Sequence, residues 1–90
     1  MRDDADKSPL QFPCDFPVKM MGYDRATFYE AARGIIERHA GSVSDDDVRT
    51  ASSRNGRFVS MTITVRAHSR QQLDAIYMDL TQHDEILVAL

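Results

Sequence analysis

Apolar and polar residues alternate strictly between Phe58 and Ala67, and this is the clearest pattern in the chain. Such alternation is typical of a β-strand that has one buried face, so it assigns alternate side chains to the core. The side chains predicted to be buried are Val59, Met61, Ile63 and Val65. Those predicted to face water or a partner are Phe58, Ser60, Thr62, Thr64 and Arg66.

Two other segments show the spacing of amphipathic helices. The first is predicted to begin at Asp24, a good N-cap residue, and to end at Gly41. Ser69 is the predicted N-cap of the second helix, with Gln72 at the capping-box position. The predicted apolar faces are Phe28, Ala32, Ile35 and Ile36, with His39, in the first helix and Leu73, Ile76, Tyr77 and Leu80 in the second.

Three shorter strands are predicted to complete the sheet. The first covers residues 17–21 and ends at Gly22, where positive φ would help the chain turn. Residues 12–17 are too rich in proline for a central strand, because proline lacks the N–H that a ladder needs. A weak strand covers residues 48–52, and Asn55-Gly56 predicts a tight hairpin between it and the strand at 58–67. Residues 86–90 form the last strand.

The order of these elements, β-α-β-β-α-β, is the split βαβ arrangement of ferredoxin-like domains. Right-handed crossovers place the first and third strands at the centre of the sheet and both helices on one face. The sequence therefore predicts an α+β two-layer sandwich with an antiparallel four-stranded sheet. We expect residues 11–90 to form this single domain and residues 1–10, which are charged and lack an apolar period, to be a flexible tail.

The charge and the cysteine content narrow the classes of function and location. The formal net charge of -3 argues against nucleic-acid binding, since phosphate neutralisation needs a basic surface. No apolar run approaches the roughly 20 residues that span a bilayer, and the first residues do not resemble a secretory signal. A single cysteine, Cys14, excludes an internal disulfide. We expect a cytoplasmic protein without a membrane partner.

Residues that carry catalysis or hold metals do not occur in a recognisable arrangement. His39, His68 and His83 lie far apart and lack a second ligand at the short spacing of zinc sites. The run Asp45-Asp46-Asp47 lacks the ligand pattern of a calcium loop, and the isolated glycines form no phosphate-binding fingerprint. We therefore expect no enzyme activity, no metal and no cofactor.

RNA binding remains a distant alternative on the sequence. The RNA-recognition domain has the same element order, and aromatic residues on its third strand stack on bases. Here Gly56-Arg57-Phe58 begins in a similar way, but the next outward residues are Ser60 and Thr62. The first strand offers Lys19 in place of a ring, so at most one stacking residue is expected.

Four segments together resemble the YbeD-like family of small bacterial proteins. They are FPCDFPVKMMG at 12–22, RHA at 38–40, SSRNGRFVS at 52–60 and VAL at 88–90, so the resemblance extends over residues 12–90. It implies a ferredoxin-like sandwich akin to the ACT regulatory domain, which binds small metabolites at clefts between subunits. It also implies a lipoic-acid-binding regulatory role, although no activity is established for the family.

The resemblance and the residues each indicate one candidate ligand site. In ACT-like modules the ligand lies near the loop after strand one and the start of helix one, which implies Gly22, Tyr23 and Asp24 here. The second candidate is the polar hairpin, whose arginines suit an anion or an acidic partner. Its residues are Ser52, Ser53, Arg54, Gly56 and Arg57. The alternative that these residues only shape the turn stays open.

We expect a non-enzymatic small-molecule-binding or regulatory module, with a link to lipoate metabolism implied by the resemblance. The alternative is a protein–protein interaction or homodimerisation domain that uses the open sheet face. In either case we expect the small metabolite or protein partner to be anionic and to engage the side of the molecule between Arg54 and Arg66.

Overall fold

Two helices pack on one face of a four-stranded antiparallel sheet in the computed structural model, which describes residues 10–90. The elements are β1 Cys14–Tyr23, α1 Ala26–Ala40, β2 Val48–Ser52, β3 Phe58–Ala67, α2 Arg70–Gln82 and β4 Val88–Ala89, with a 3-10 turn at Asp45–Asp47 before β2. The strand order is β2-β3-β1-β4, so the predicted ferredoxin-like fold is confirmed. Most of the predicted tail, residues 1–9, lies outside the described residues, and Leu10 is partly buried against the core.

The core lies between the sheet and the helices, and the predicted register of β3 is confirmed. Val59, Met61, Ile63 and Val65 are buried, whereas the threonines between them are half-buried on the other face. Val18 and Met20 of β1 bury their side chains beside them. The helices contribute Phe28, Ala32, Ile35, Ile36, Leu73, Ile76 and Leu80, all of them buried.

β1 is longer than predicted, because it begins at Cys14 rather than at Pro17 and continues to Tyr23. The backbone N–H of Lys19 donates towards β4, to the Leu90 carbonyl oxygen. Successive residues of a strand alternate in the direction of their backbone groups, so the nitrogen of Pro17 also lies on the β4 side of β1. β4 is short, and its two residues stand opposite Met20 and Met21. Proline is tolerated at position 17 because β4 does not extend alongside it.

Gly22 does not end the strand in a turn, so that prediction is wrong. It is buried inside β1, opposite Val59, and its φ is outside the left-handed region. A Cβ at this position would overlap the ring of Phe28 and would lie 2.6 Å from the carbonyl oxygen of Glu85. Glycine is needed here because helix α1 and the segment before β4 both approach the strand closely.

The predicted N-cap residue is confirmed for α2 but is wrong for α1. In α2, Ser69 is the N-cap as predicted, and its Oγ accepts the Gln72 N–H at 3.1 Å. In α1 the N-cap is Arg25 rather than Asp24, and no side chain caps the helix. Asp24 is displaced from the cap because its own N–H continues the sheet, donating to the Arg57 carbonyl oxygen at 3.0 Å.

His39 links the two helices near the end of α1. Its Nε2 lies 2.6 Å from Oδ2 of Asp79 on α2, and Nη1 of Arg38 lies 3.3 Å from the same oxygen. Gln72 donates its side-chain N–H to the His39 carbonyl oxygen at 3.0 Å. The hydrogen bond with His39, assisted by the charge of Arg38, lowers the pKa of Asp79. His39 thus has a structural role in this fold.

Candidate ligand-binding surface

The two candidate segments that the sequence offered as alternatives lie side by side. Tyr23 at the end of β1 stands directly opposite Phe58 at the start of β3. Their rings stack with centroids 5.0 Å apart and an interplanar angle of 29°. The N–H of Asp24 donates to the carbonyl oxygen of Arg57, which extends the contact by one residue. We call this part of the molecule the hairpin end, and it comprises residues 22–24 and 52–58.

The hairpin is wider than the two-residue turn that Asn55-Gly56 predicted. Gly56 donates its N–H to the Ser53 carbonyl oxygen at 3.0 Å, so Arg54 and Asn55 occupy the centre of the turn. Gly56 follows them with φ of 74°, a conformation that favours glycine. Oγ of Ser53 accepts the Phe58 N–H at 3.0 Å. Ser53 and Gly56 therefore shape the turn.

Arg54 and Arg57 are exposed at the hairpin end, and neither forms an ion pair with any residue in the 10–90 range. Ser52 is the exposed last residue of β2. Asn55 supports the loop through its Oδ1, which accepts the Arg57 N–H at 3.0 Å. The loop thus presents two guanidinium groups without an ion pair among residues 10–90, on a backbone that is held by short side-chain hydrogen bonds.

Arg25 is a neighbour of Tyr23 that the sequence did not reveal. Its guanidinium lies 5.3 Å from the centre of the Tyr23 ring, within the range of a cation–π contact. Nε and Nη2 of Arg25 also donate to the two carboxylate oxygens of Glu85, each at 3.1 Å. These hydrogen bonds lower the pKa of Glu85. The pairing depends on residues 60 positions apart, so no local pattern signals it.

Asp24 directs its carboxylate to the helix layer. Its Oδ1 accepts the hydroxyl hydrogen of Tyr29 on α1 at 2.7 Å, and this hydrogen bond raises the pKa of Tyr29. Of the first candidate segment, Gly22 is buried, whereas Tyr23 and Asp24 are exposed, and the Asp24 carboxylate accepts a hydrogen bond from Tyr29.

The open face is the side of the sheet away from the helices. Strand register places these outward residues on it: Asp15, Pro17, Lys19, Met21 and Tyr23 from β1, Arg49 and Ala51 from β2, Phe58, Ser60, Thr62, Thr64 and Arg66 from β3, and Val88 from β4. Two shallow hollows mark this face. One, of about 230 Å³, is lined by Lys19, Arg49 and Thr62 among others, and one of about 170 Å³ is lined by Met21, Ala51 and Phe58 among others.

Charge is distributed unevenly between the two sides of the sheet. Within residues 10–90, the open face carries three cationic side chains, those of Lys19, Arg49 and Arg66, against one carboxylate, that of Asp15, and the loop between β2 and β3 adds Arg54 and Arg57. Asp15 pairs with Arg66 at 3.3 Å, at the far end of the face from the hairpin. The open face is thus basic, although the formal net charge of the chain is -3.

The remaining histidines serve local turns. Nδ1 of His83 accepts the Glu85 N–H at 3.1 Å, and the His68 N–H donates to Oε1 of Gln72 at 2.6 Å. Among residues 10–90, His, Cys, Asp and Glu side chains form no group of three that could hold a metal ion. Neither of the helices in this part of the chain is long and apolar enough to cross a bilayer.

Fold and surface together define a small ferredoxin-like α+β domain with a basic open sheet face. The family model described as "Protein of unknown function (DUF493)" matches residues 7–90, and the chain belongs to this family. Curated relatives share nearly their whole length with it. A UPF0250 protein of Paraburkholderia phytofirmans is 40% identical, covering 96% of this chain and 97% of the relative. One from Nitrosomonas europaea is 36% identical, covering 96% and 99%. The resemblance to the YbeD-like family is confirmed.

A solved structure supports the fold independently. The solution structure of protein HP0495 from H. pylori matches with a TM-score of 0.67, covering 100% of this chain and 94% of that protein. Its sequence identity is 18%, so the likeness concerns the fold alone.

Proposed function

We propose that the protein is a non-enzymatic, cytoplasmic binding module with a regulatory role, and that it recognises an anionic ligand at the hairpin end and on the adjoining part of the open face around Lys19 and Arg49. The observation that carries this proposal is the uneven charge. Lys19, Arg49 and Arg57 are exposed and make no ion pair within residues 10–90, while most carboxylates in this range lie elsewhere. Unpaired arginine is well suited to a carboxylate or phosphate group, which it can hold with two hydrogen bonds.

The apolar side chains beside these cations narrow the chemistry of the ligand. Met21 and the stacked rings of Tyr23 and Phe58 lie next to each other on β1 and β3, and Val88 of β4 is opposite Met21. Such a surface suits a ligand that has an apolar chain as well as an anionic group. Lipoate has both, which is consistent with the role implied by the family resemblance. The assignment of lipoate remains part of the proposal.

The shape of the surface favours a ligand carried by a larger partner. The two hollows of the open face, at about 170 and 230 Å³, are smaller than the roughly 300–1,000 Å³ of typical small-molecule pockets. A free metabolite would leave much of its surface in water there. A lipoyl group or other acyl chain on an acidic protein segment would gain additional contacts from the cationic side chains around the hollows.

An NMR titration of the ¹⁵N-labelled protein tests the proposal. Four probes distinguish the contribution of the negative charge to binding from that of the apolar chain: lipoate, lipoamide, octanoate and glutamate. We expect lipoate and octanoate to shift the amide signals of Tyr23, Arg57 and Phe58 at lower concentration than lipoamide or glutamate. Added salt should weaken the binding, because exposed charges are screened over about 10 Å at 0.1 M.

Two variants test whether Lys19 and Arg57 are responsible for ligand binding. The double substitution Lys19→Ala and Arg57→Ala should weaken lipoate binding at least several-fold. Arg66→Ala is the matched control, since Arg66 lies on the same face but at the far end, paired with Asp15. Equal loss in both variants, or binding that is insensitive to salt, would contradict the proposed site.

Nucleic acid is a second candidate because of one observation. The sequence indicated at most one stacking residue, but the structure has two rings, Tyr23 and Phe58, on the two central strands. Aromatic residues in these positions can stack on bases. Because the two rings already stack on each other, the structure favours their contact with an apolar ligand over stacking on bases. If a single-stranded oligouridylate shifts the same amide signals more strongly than lipoate does, the site binds nucleic acid instead.

Homodimerisation through the open face is the other alternative from the sequence. It would bring Lys19, Arg49 and Arg66 of one copy against the same three cations of another, which repel each other. The basic character of the face therefore favours an anionic partner over a second copy at this surface.

A further inference from the structure

Three outward residues form one row across the middle of the open face. Lys19 of β1 and Arg49 of β2 both stand opposite Thr62 of β3, one on each side of it. Neighbouring strands lie about 4.8 Å apart, so the backbones of the two cationic residues are roughly 10 Å apart, with Thr62 between them. Long side chains that start at this separation can converge on one group placed above Thr62. The row thus brings two positive charges and a hydroxyl to one place.

The hollow of about 230 Å³ lies over this row and is suited to an anion. Its lining contains no carboxylate and consists of Lys19, Arg49, Thr50, Ala51, Ser60 and Thr62. Lys19 and Arg49 are exposed, and neither forms an ion pair with a residue in the described part of the chain. An anion in this hollow would therefore not have to displace an existing partner of either cation.

Two hydroxyl groups add hydrogen-bond donors to the hollow. The Thr62 hydroxyl has no hydrogen-bond partner among residues 10–90. The Ser60 hydroxyl lies 3.5 Å from the Ala51 carbonyl oxygen, a distance at which a hydrogen bond is weak. Both hydroxyls can therefore donate to a ligand oxygen at little cost.

A second, apolar hollow continues from the first. The hollow of about 170 Å³ shares Ala51 and Ser60 with it and is lined further by Met21 and Phe58, among others. Ala51 is the outward residue of β2 opposite Ser60, and its small side chain leaves the space between the two hollows open. The surface therefore offers a cationic compartment that is followed directly by an apolar one.

We propose that the hollow between Lys19 and Arg49 binds the phosphate group of a small phosphate monoester, whose apolar part extends to Met21 and Phe58. This inference rests on the proposed function, because it names the charged group of a ligand on the same surface. A phosphate monoester has about -1.5 to -2 charges at pH 7 and three acceptor oxygens, which match two cations and two hydroxyls. Arg49 can hold two of these oxygens, while Lys19 acts as a point charge. A carboxylate, with one charge and two oxygens, leaves part of this set unused.

Three ligands with apolar chains of similar length test the charged group: octyl phosphate, octyl sulfate and octanoate. In NMR titrations of the ¹⁵N-labelled protein at neutral pH, octyl phosphate should bind at least about five-fold more tightly than the other two. It should shift the amide signals of Arg49, Ser60 and Thr62. Octyl sulfate has the same number of terminal oxygens as the phosphate but only one charge. Octyl phosphate that binds no more tightly than octyl sulfate or octanoate overturns the inference.

Two matched threonine variants locate the phosphate group. Thr62→Val removes the hydroxyl from the hollow and keeps the shape of the side chain. Thr64→Val makes the same change at the next outward residue of β3, which stands opposite Pro17 and does not line the hollow. We expect Thr62→Val to weaken the binding of octyl phosphate several-fold and Thr64→Val to leave it unchanged. Equal effects of the two substitutions would place the phosphate group elsewhere and overturn the inference.

Two arginine variants test the second charge. Arg49→Ala should abolish the preference for octyl phosphate over octanoate, because one cation then remains at the hollow. Arg66→Ala should keep the preference, since Arg66 is paired with Asp15 at the far end of the face. A preference for octyl phosphate that survives Arg49→Ala would contradict the proposed role of that residue.

The outcomes also separate this inference from the proposed function. If lipoate and octanoate shift the amide signals of Tyr23, Arg57 and Phe58 but octyl phosphate binds no more tightly, only the phosphate assignment fails. If octyl phosphate binds at Arg49 and Thr62 and lipoate does not bind, the phosphate site stands and the assignment of lipoate fails. If none of these ligands shifts a signal of the open face or the hairpin end, both proposals fail.

Discussion

Tyr23 and Phe58 stand opposite each other on the two central strands, and their rings stack on the open face of the sheet with centroids 5.0 Å apart. One ring belongs to the segment that leads into α1, and the other belongs to the hairpin between β2 and β3. The stack therefore joins two segments that are far apart in the sequence. Their backbones are joined again one step further on, where Asp24 donates its N–H to the Arg57 carbonyl oxygen.

The stacked pair should contribute measurably to stability. Aromatic pairs of this geometry are worth about 0.5–1.5 kcal/mol beyond the area they bury. A double-mutant cycle with Tyr23→Ala and Phe58→Ala, followed by urea unfolding, should give a coupling free energy in that range. The cycle also cancels the separate contribution of the cation–π contact between Arg25 and the Tyr23 ring. Strictly additive effects would show that the rings are adjacent without stabilising each other.

Two glycines should respond in opposite ways to alanine. Gly22→Ala inserts a methyl group against the Phe28 ring and the Glu85 carbonyl oxygen, and overpacking of this kind costs about 1–3 kcal/mol. Gly34→Ala, on an exposed position of α1 with nothing within 4 Å of the new Cβ, should stabilise the protein by up to about 1 kcal/mol. Thermal and urea unfolding measure both. A Gly22→Ala variant as stable as the wild-type protein would contradict the close packing around β1.

The positive φ of Gly56 gives a third prediction. Gly56→Val should lower the free energy of unfolding by about 1 kcal/mol or more, because a β-branched residue is strained at φ of 74°. Gly56→Asn is the matched comparison and should lose less, since asparagine tolerates the left-handed conformation better. Both side chains would point into open space, so sterics from neighbours do not complicate the comparison. An unchanged melting temperature for Gly56→Val would count against the turn described.

The contact between His39 of α1 and Asp79 of α2 should make the stability of the protein depend on pH. The pKa of Asp79 is lowered in the folded protein by His39 and Arg38, from about 3.9 in an unfolded chain. A lowered pKa means that the stabilisation is complete above the unfolded value and is lost as the pH falls through the folded one. Asp79→Asn should therefore destabilise the protein at about pH 6, and the difference from wild type should vanish in stronger acid.

Urea unfolding of both proteins between about pH 6 and pH 2 measures this difference. Asp74→Asn on the same helix serves as the control, since Asp74 is exposed and makes no ion pair within residues 10–90. A difference between wild type and Asp79→Asn that is constant over the whole range would show that the ion pair is not the cause.

The parts of the fold that were predictable are those in which burial alone decides the structure. The alternation in β3 identified Val59, Met61, Ile63 and Val65 because one face of that strand has to pack on the helices. The Ser69 cap was equally visible, because its hydrogen-bond partner, the Gln72 N–H, is three residues away. Local pattern and tertiary structure agree at these positions.

Predictions failed where a distant partner decides the structure. Asp24 is a suitable cap in isolation, but its N–H pairs with Arg57, and the helix starts one residue later. Residues 14–16 were predicted to lie outside the sheet, but they pair with β3, and Pro17 is tolerated after them because β4 is too short to pair beside it. The candidate site shows the same limit. Both segments were identified, but their stacking through Tyr23 and Phe58 depends on the β1–β3 register, which a linear pattern does not contain.

The division of charge between the two sides of the sheet also gives the molecule an electric dipole directed across the sheet. In the field of an anionic body the protein will tend to rotate until the face with Lys19 and Arg49 leads. Orientation of this kind raises encounter rates above those expected from net charge.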